Sequence, residues 1–181
     1  MTNLKEIVEK IKNKDLVEAL KLCDDYNDKN NQHIISNFKG VIHLIKGNLE
    51  LSEKNLLKSI ELKPQFEDPI KNLYSLNLKK KKFDKVLFYA KKLVELNSVN
   101  NEYNYQLAYA HELNNNLNET IENYLKYISL DGKNKKQAYN NIGCLYLQRN
   151  NPKTAKDYFL KGIEFGEDKI IINNLFRSYI L

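Results

Sequence analysis

A motif recurs about every 34 residues along this chain of 181. The last full copy reads Ala138–Tyr139–Asn140–Asn141–Ile142–Gly143, then Tyr146, Ala155, Phe159 and Gly162. Its second half has counterparts at Asn116–Leu117 running to Tyr124 and Ile128, and at Lys82–Phe83 running to Ala90 and Val94. Further counterparts are Asn48–Leu49 running to Leu56 and Ile60, and Asp15–Leu16 running to Ala19 and Cys23. A unit of this length is a pair of helices, and one pair cannot bury its apolar face alone. Copies must stack, so the expected fold is all-α, an α-α superhelix of antiparallel helix pairs.

Apolar positions recur at three and four residues throughout, with no alternating stretch that suggests strands. The spacing predicts helices near 3–13, 15–29, 33–46, 49–62, 67–80, 83–96, 101–114, 117–130, 136–149, 152–165 and 169–180. Breaks fall at Asn13–Lys14, Gly47–Asn48, Asn114–Asn116 and Asn150–Asn151, where Asn and Gly tolerate the left-handed conformation that ends a helix. No domain boundary is evident. The chain reads as one domain, 1–181, with repeats at about 1–32, 33–66, 67–100, 101–134 and 136–169 and an extra helix at 170–181. Small residues on first helices (Gly40, Ala108, Gly143) and on second helices (Ala19, Ser52, Thr120, Ala155) mark close helix approaches. Leu56, Tyr124, Phe159 and Ile163 fill the wider gaps.

Composition narrows the function. No apolar run is long enough to span a membrane and no secretion signal opens the chain, so the expected location is cytoplasmic, without membrane contact. Cys23 and Cys144 lie in different repeats and read as reduced thiols. The net charge of +6 comes from lysines spread over most helices, with Arg149 and Arg177 the two arginines. Lys79 to Lys82 is the one dense run, at a solvated turn, and no nucleic-acid partner is expected. His33, His43 and His111 form no chelating pair, and there is neither a Cys–x–x–Cys nor a glycine-rich phosphate loop. No catalytic residue, metal site or cofactor is assigned, and no enzymatic activity is expected.

The pattern resembles the tetratricopeptide repeat family. Residues 136–169 carry it through Tyr139, Ile142–Gly143, Tyr146, Ala155, Phe159 and Gly162; residues 101–134 through Leu107–Ala108, Thr120, Tyr124 and Tyr127. Residues 67–100 follow through Leu73, Val86, Ala90 and Leu93, and 33–66 through Gly40, Gly47, Ser52 and Pro64. The first pair is the weakest match, with an inter-helix turn that reads one residue short. The resemblance implies a right-handed superhelix whose first helices line a concave groove that binds an extended peptide or a partner helix. Groove positions are then Lys71, Asn72, Ser75 and Lys79; Tyr105, Gln106, Tyr109 and Glu112; Asn140, Asn141, Cys144 and Gln148; and Asn173, Asn174 and Arg177. The peptide-binding set drawn from them is Lys71, Asn72, Tyr105, Gln106, Tyr109, Asn140, Asn141, Gln148, Asn174 and Arg177.

Within that set Asn72, Asn141 and Asn174, with Gln106, occupy equivalent places, and a row of amides can pair with any peptide backbone. The alternative is that Asn is merely abundant. Tyr105 and Tyr109 lie one turn apart as anchors for a partner, or else pack on the neighbouring pair. The carboxylate clamp of the family's co-chaperones is expected to be absent: Ser75 and Gln106 replace its asparagines, and Gln137 and Asn141 its basic pair.

The final segment is apolar over roughly half its helical circumference, unlike the polar outer face of a terminal repeat. It reads as the first helix of a sixth pair. Either the chain belongs to a longer protein or two copies meet here. The expected function is a protein-interaction scaffold. Its alternatives are a regulatory or targeting segment of a larger, enzymatic protein, and a self-associating scaffold. RNA-reading helical repeats would carry paired polar specificity residues, which are not found.

Overall fold

A computed structural model describes residues 3–180. Met1, Thr2 and Leu181, which the expected span of 1–181 includes, lie outside the described residues. Those described form eleven α-helices and no strand: α1 (Leu4–Lys12), α2 (Leu16–Asp24), α3 (Gln32–Ile45), α4 (Leu49–Leu62), α5 (Glu67–Lys79), α6 (Phe83–Leu96), α7 (Asn101–Leu113), α8 (Leu117–Ser129), α9 (Lys135–Gln148), α10 (Pro152–Ile163) and α11 (Lys169–Ile180). Odd-numbered helices are first helices and even-numbered ones second. The chain divides into two compact units, Met1–Leu96 and Asn97–Leu181. The first holds three helix pairs; the second holds two pairs and α11.

One turn joins every pair. Its left-handed residue is Lys14, Gly47, Lys81, Asn115 or Asn150, with φ between 54° and 80°. The next residue's N–H donates back five positions, Asp15 to Lys10, Asn48 to His43, Lys82 to Asn77, Asn116 to His111 and Asn151 to Tyr146, at 2.9–3.0 Å. This bond satisfies carbonyls that the helix end leaves without partners. The first pair, expected to have a shortened turn, uses the same one. Its brevity lies in the helices, nine residues each against fourteen in α3 and α4. The helix expected to run from 15 to 29 stops at Asp24. Beyond it Asp28 accepts from the Asn30 N–H and the Asn31 amide, and Gln32 Nε2 donates to the carbonyls of Tyr26 and Asp28. Side chains thus offer this backbone a rival to the helical ladder.

A register counted from the left-handed residue explains the core. Seven positions before it stand Ile7, Gly40, Tyr74, Ala108 and Gly143; nine positions after it stand Cys23, Leu56, Ala90, Tyr124 and Phe159. All ten are buried. No pair places a ring on both helices at this crossing, and Gly40 and Gly143 face a large aliphatic and a large aromatic partner. A Cβ on Gly40 would lie 2.6 Å from Leu56, and one on Gly143 would lie 2.4 Å from Phe159. Small polar side chains close the backbone nearby: Ser52 Oγ donates to the Gly40 carbonyl at 2.8 Å and Ser59 Oγ to that of His33 at 2.6 Å.

α11 keeps the first-helix register. Buried Ile171 and Ser178 stand where Ala138 and Leu145 stand on α9. That register puts Phe176 in the place of Gly143, and there the ring is 63 % exposed.

Candidate functional site

In the second unit the first helices α7, α9 and α11 present a polar face built around one buried ring. Tyr124 of α8 is fully buried and packs edge-on against Tyr105, whose centroid is 5.4 Å away; Tyr105 also meets Tyr127 at 5.1 Å. The Tyr124 hydroxyl donates to Glu112 Oε2 at 2.9 Å and accepts from Asn141 Nδ2 at 3.0 Å. Gln137 Nε2 in turn donates to Asn141 Oδ1 at 2.8 Å. The result is a relay, Gln137 to Asn141 to Tyr124 to Glu112, in which every donor points toward the carboxylate. Such chains polarise cooperatively at low local dielectric. Burial and the Glu112 charge push the Tyr124 phenol far up, so it stays a donor. The relay also fixes which way the Asn141 amide faces.

Around it, Tyr109 is 39 % exposed, and Gln148 and Arg177 are exposed. Gln148 and Arg177 line a pocket of about 310 Å³ with Cys144 and Leu147. Gln106 is half-buried on α7. Asn140 is buried and accepts from Asn174 Nδ2 at 3.0 Å; Asn174 also donates to Cys144 Sγ at 3.5 Å. Asn140 and Asn174 therefore meet each other between α9 and α11.

The first unit repeats that contact. Asn72 Nδ2 on α5 donates to Asn37 Oδ1 on α3 at 2.9 Å, and Asn37 is buried. Beside it Lys71 pairs with Asp68 at 2.8 Å, Ser75 Oγ donates to the Lys71 carbonyl, and Lys79 is exposed. Three members of the expected amide row thus each place an N–H inside the stack: Asn72 and Asn174 toward the preceding first helix, Asn141 toward Tyr124. Tyr105 is packed into the core cluster of the second unit, while Tyr109 stays outside it.

Sequence reasoning missed the relay. It took Tyr124 for packing alone and Gln137 for a lost clamp residue. The available signal was the hydroxyl: Phe159 fills the equivalent place without one, so a buried tyrosine there needs a polar partner.

The remaining polar chemistry is structural. His111 is buried, with Nδ1 3.3 Å from Asn116 Nδ2, and so braces its turn. His33 packs edge-on against Phe66. Burial lowers the His33 and His43 pKa values. Burial pushes the Cys23 thiol up to about 11 and raises Cys144 too, so neither is an activated thiolate. Among the described residues no cluster of His, Cys, Asp and Glu could hold a metal, and no helix is long and apolar enough to cross a membrane.

With this geometry in place, the likeness to known proteins is consistent with it. The family model described as Tetratricopeptide repeat matches residues 35–66 and 136–165. The chain carries tetratricopeptide repeats at those two segments. Its helices accommodate about five of them plus α11. None of the curated proteins matches the chain in sequence. Among solved structures it is similar to YrrB, described as a TPR protein with an unusual peptide-binding site. The TM-score is 0.78 at 18 % identity, over 97 % of this chain and 89 % of that one. It is likewise similar to MamA from Desulfovibrio magneticus RS-1, with a TM-score of 0.74 at 19 % identity over 88 % of this chain and 90 % of that one. At these identities the likeness is one of fold. Repeats of this kind support a role as a protein-interaction scaffold.

Proposed function

We propose that the chain holds an extended peptide segment of a protein partner against the face formed by its first helices. The observation that carries this reading is the oriented amide of Asn141. It is locked by Gln137 and Tyr124, and the first helices of the same unit also carry exposed Tyr109, Gln148 and Arg177. A locked amide costs little further side-chain entropy on binding, and its Oδ1, which accepts from Gln137, keeps a second lone pair for a peptide N–H. YrrB, which is similar in fold, is described as having an unusual peptide-binding site, and this supports peptide binding as the role of the chain. Within the first unit by itself, Lys71 and Asn72 are the candidate residues for the same role. Binding here is modest in affinity and broad in choice, because it uses backbone contacts and few rings.

The test is capture of short peptides on the immobilised protein. Wild type retains a subset, and a Tyr109→Ala, Gln148→Ala variant loses about tenfold or more. Identical retention by the two proteins removes the assignment. This variant is preferable to one lacking Asn72 and Asn174, since those residues also join repeats.

A second reading rests on α11. Phe176, Tyr179 and Ile180 are 63 %, 60 % and 84 % exposed on one helix. Contiguous apolar surface of this kind marks contact sites, and self-association through α11 is the corresponding function. Light scattering on the full chain at rising concentration reads a growing mass in wild type and a constant one in Phe176→Ser, Tyr179→Ser. A constant mass in wild type refutes it.

A further inference from the structure

The pocket between α9 and α11 has a chemistry that specifies more than backbone recognition. It is lined by Arg177, Gln148, Leu147 and the half-buried Cys144. Among the described residues no carboxylate forms an ion pair with Arg177. A charge of opposite sign, Glu112, acts together with Arg177 on Cys144. Glu112 is already the acceptor of the Tyr124 hydroxyl. The face therefore has a polarity: a cationic end at α11, and an anionic end where α7 meets the relay.

We infer that this pocket reads an acidic side chain of the bound peptide, a single Asp or Glu next to an apolar residue. The inference rests on the peptide-binding reading above and adds the identity of the segment. A planar guanidinium offers a carboxylate two parallel donors. The Gln148 amide adds a neutral donor from the other wall, and Leu147 and Cys144 give the adjoining apolar side chain a surface. Glu112 favours a monoanion over a phosphate, because repulsion between like charges grows with the ligand's charge. An acidic residue at Arg177 leaves the opposite end of the face for a basic one, so the peptide lies in one direction.

Fluorescence polarisation with labelled short peptides tests this. The probes are N-acetylated and C-amidated, with a central Glu–Leu, Gln–Leu, phosphoserine–Leu or Lys–Leu in randomised flanks. Wild type is expected to hold the Glu–Leu set about tenfold tighter than the Gln–Leu set, the size of one exposed charge-assisted contact. The margin shrinks as salt rises. Arg177→Glu, an exposed substitution whose fold is checked by circular dichroism, should turn the preference toward Lys–Leu. Equal binding of the Glu and Gln sets by wild type overturns the inference while leaving peptide binding intact. So does a preference unchanged in Arg177→Glu, or tighter binding of the phosphoserine set than of the Glu–Leu set. Failure of all four sets to bind overturns the peptide-binding reading as well.

Discussion

In the third helix pair the first helix carries Tyr74 and the second Ala90; in the fifth pair the first carries Gly143 and the second Phe159. Both pairs bury both residues. The repeat therefore admits at most one ring at these paired positions and does not fix which helix supplies it. Native packing density leaves little slack for either arrangement. Pair four follows the fifth, with Ala108 and Tyr124, and pair two does so with Gly40 and Leu56. The third pair alone reverses the order with an aromatic residue. Its unit nevertheless keeps the same turns and the same Asn-to-Asn contact that the other unit shows between α9 and α11.

Emptying either arrangement is the largest perturbation. Phe159→Ala and Tyr74→Ala should each cost about 3–5 kcal/mol, the range for removing a buried ring. Urea denaturation followed by helical circular dichroism measures it. Gly143→Ala should destabilise by about 1–3 kcal/mol through overpacking, and Phe159→Leu in the same chain should recover part of that loss. If Gly143→Ala and Phe159→Leu combine with no coupling, the limit at this crossing is not one of packing. A small cost for Tyr74→Ala alone would mean that the reversed pair is packed more loosely than the fifth.

The next effect concerns the asparagines that join first helices. Asn72→Ala leaves the buried Asn37 amide oxygen without its donor, and Asn174→Ala does the same to Asn140. A buried acceptor stranded in this way costs about 1–3 kcal/mol. The two variants should therefore lose similar amounts, each within its own unit, as hydrogen exchange of the flanking helices reads. A loss in one unit and none in the other would show that the two contacts, alike in geometry, differ in energy.

These same residues show how far the sequence could be read. Helix positions, the five turns and the small-against-large crossing follow from a 34-residue recurrence in which apolar spacing and turn residues agree. Gly40, Ala108 and Gly143 stand out as small. Tyr74 does not announce itself as their equivalent, because a pattern of apolar residues is satisfied by either distribution of volume. The amide row was legible as a row. Its direction was not: a few degrees of helix rotation decide whether Asn72 faces solvent or Asn37, and no periodicity carries that information. Asn140 and Asn141 make the point, since adjacent residues end up buried against α11 and braced by Tyr124. Where α2 stops was also hidden, because Asp28 and Gln32 compete for the backbone through contacts visible only in three dimensions.

The smallest effect separates two contacts at equivalent places. The residue just before the left-handed turn reaches back to the preceding second helix in both units. In the first unit Lys80 donates to Glu53 at 2.7 Å, joined by Lys85 at 3.0 Å; in the second Arg149 donates to the Asn118 amide oxygen at 2.8 Å. Hydrogen bonding from Lys80, then from Lys85, holds the Glu53 carboxyl below its ordinary value, with burial opposing. A carboxyl lowered in the folded state stabilises fully above its unfolded pKa, about 4.3, and that contribution fades as pH falls through the folded value. Lys85 is raised, chiefly by its hydrogen bond to Glu53, so its share is present below its unfolded pKa and is lost in strong base. The Arg149–Asn118 contact contains no carboxylate. The difference in melting temperature between wild type and Glu53→Gln should thus be largest near neutrality and close toward about pH 3. It corresponds to about 1 kcal/mol or less for a partly exposed network. The difference between wild type and Asn118→Ala should stay flat over the same interval. A Glu53→Gln difference as flat as that of Asn118→Ala would mean that the lysines hold Glu53 by packing of their stems and not by charge.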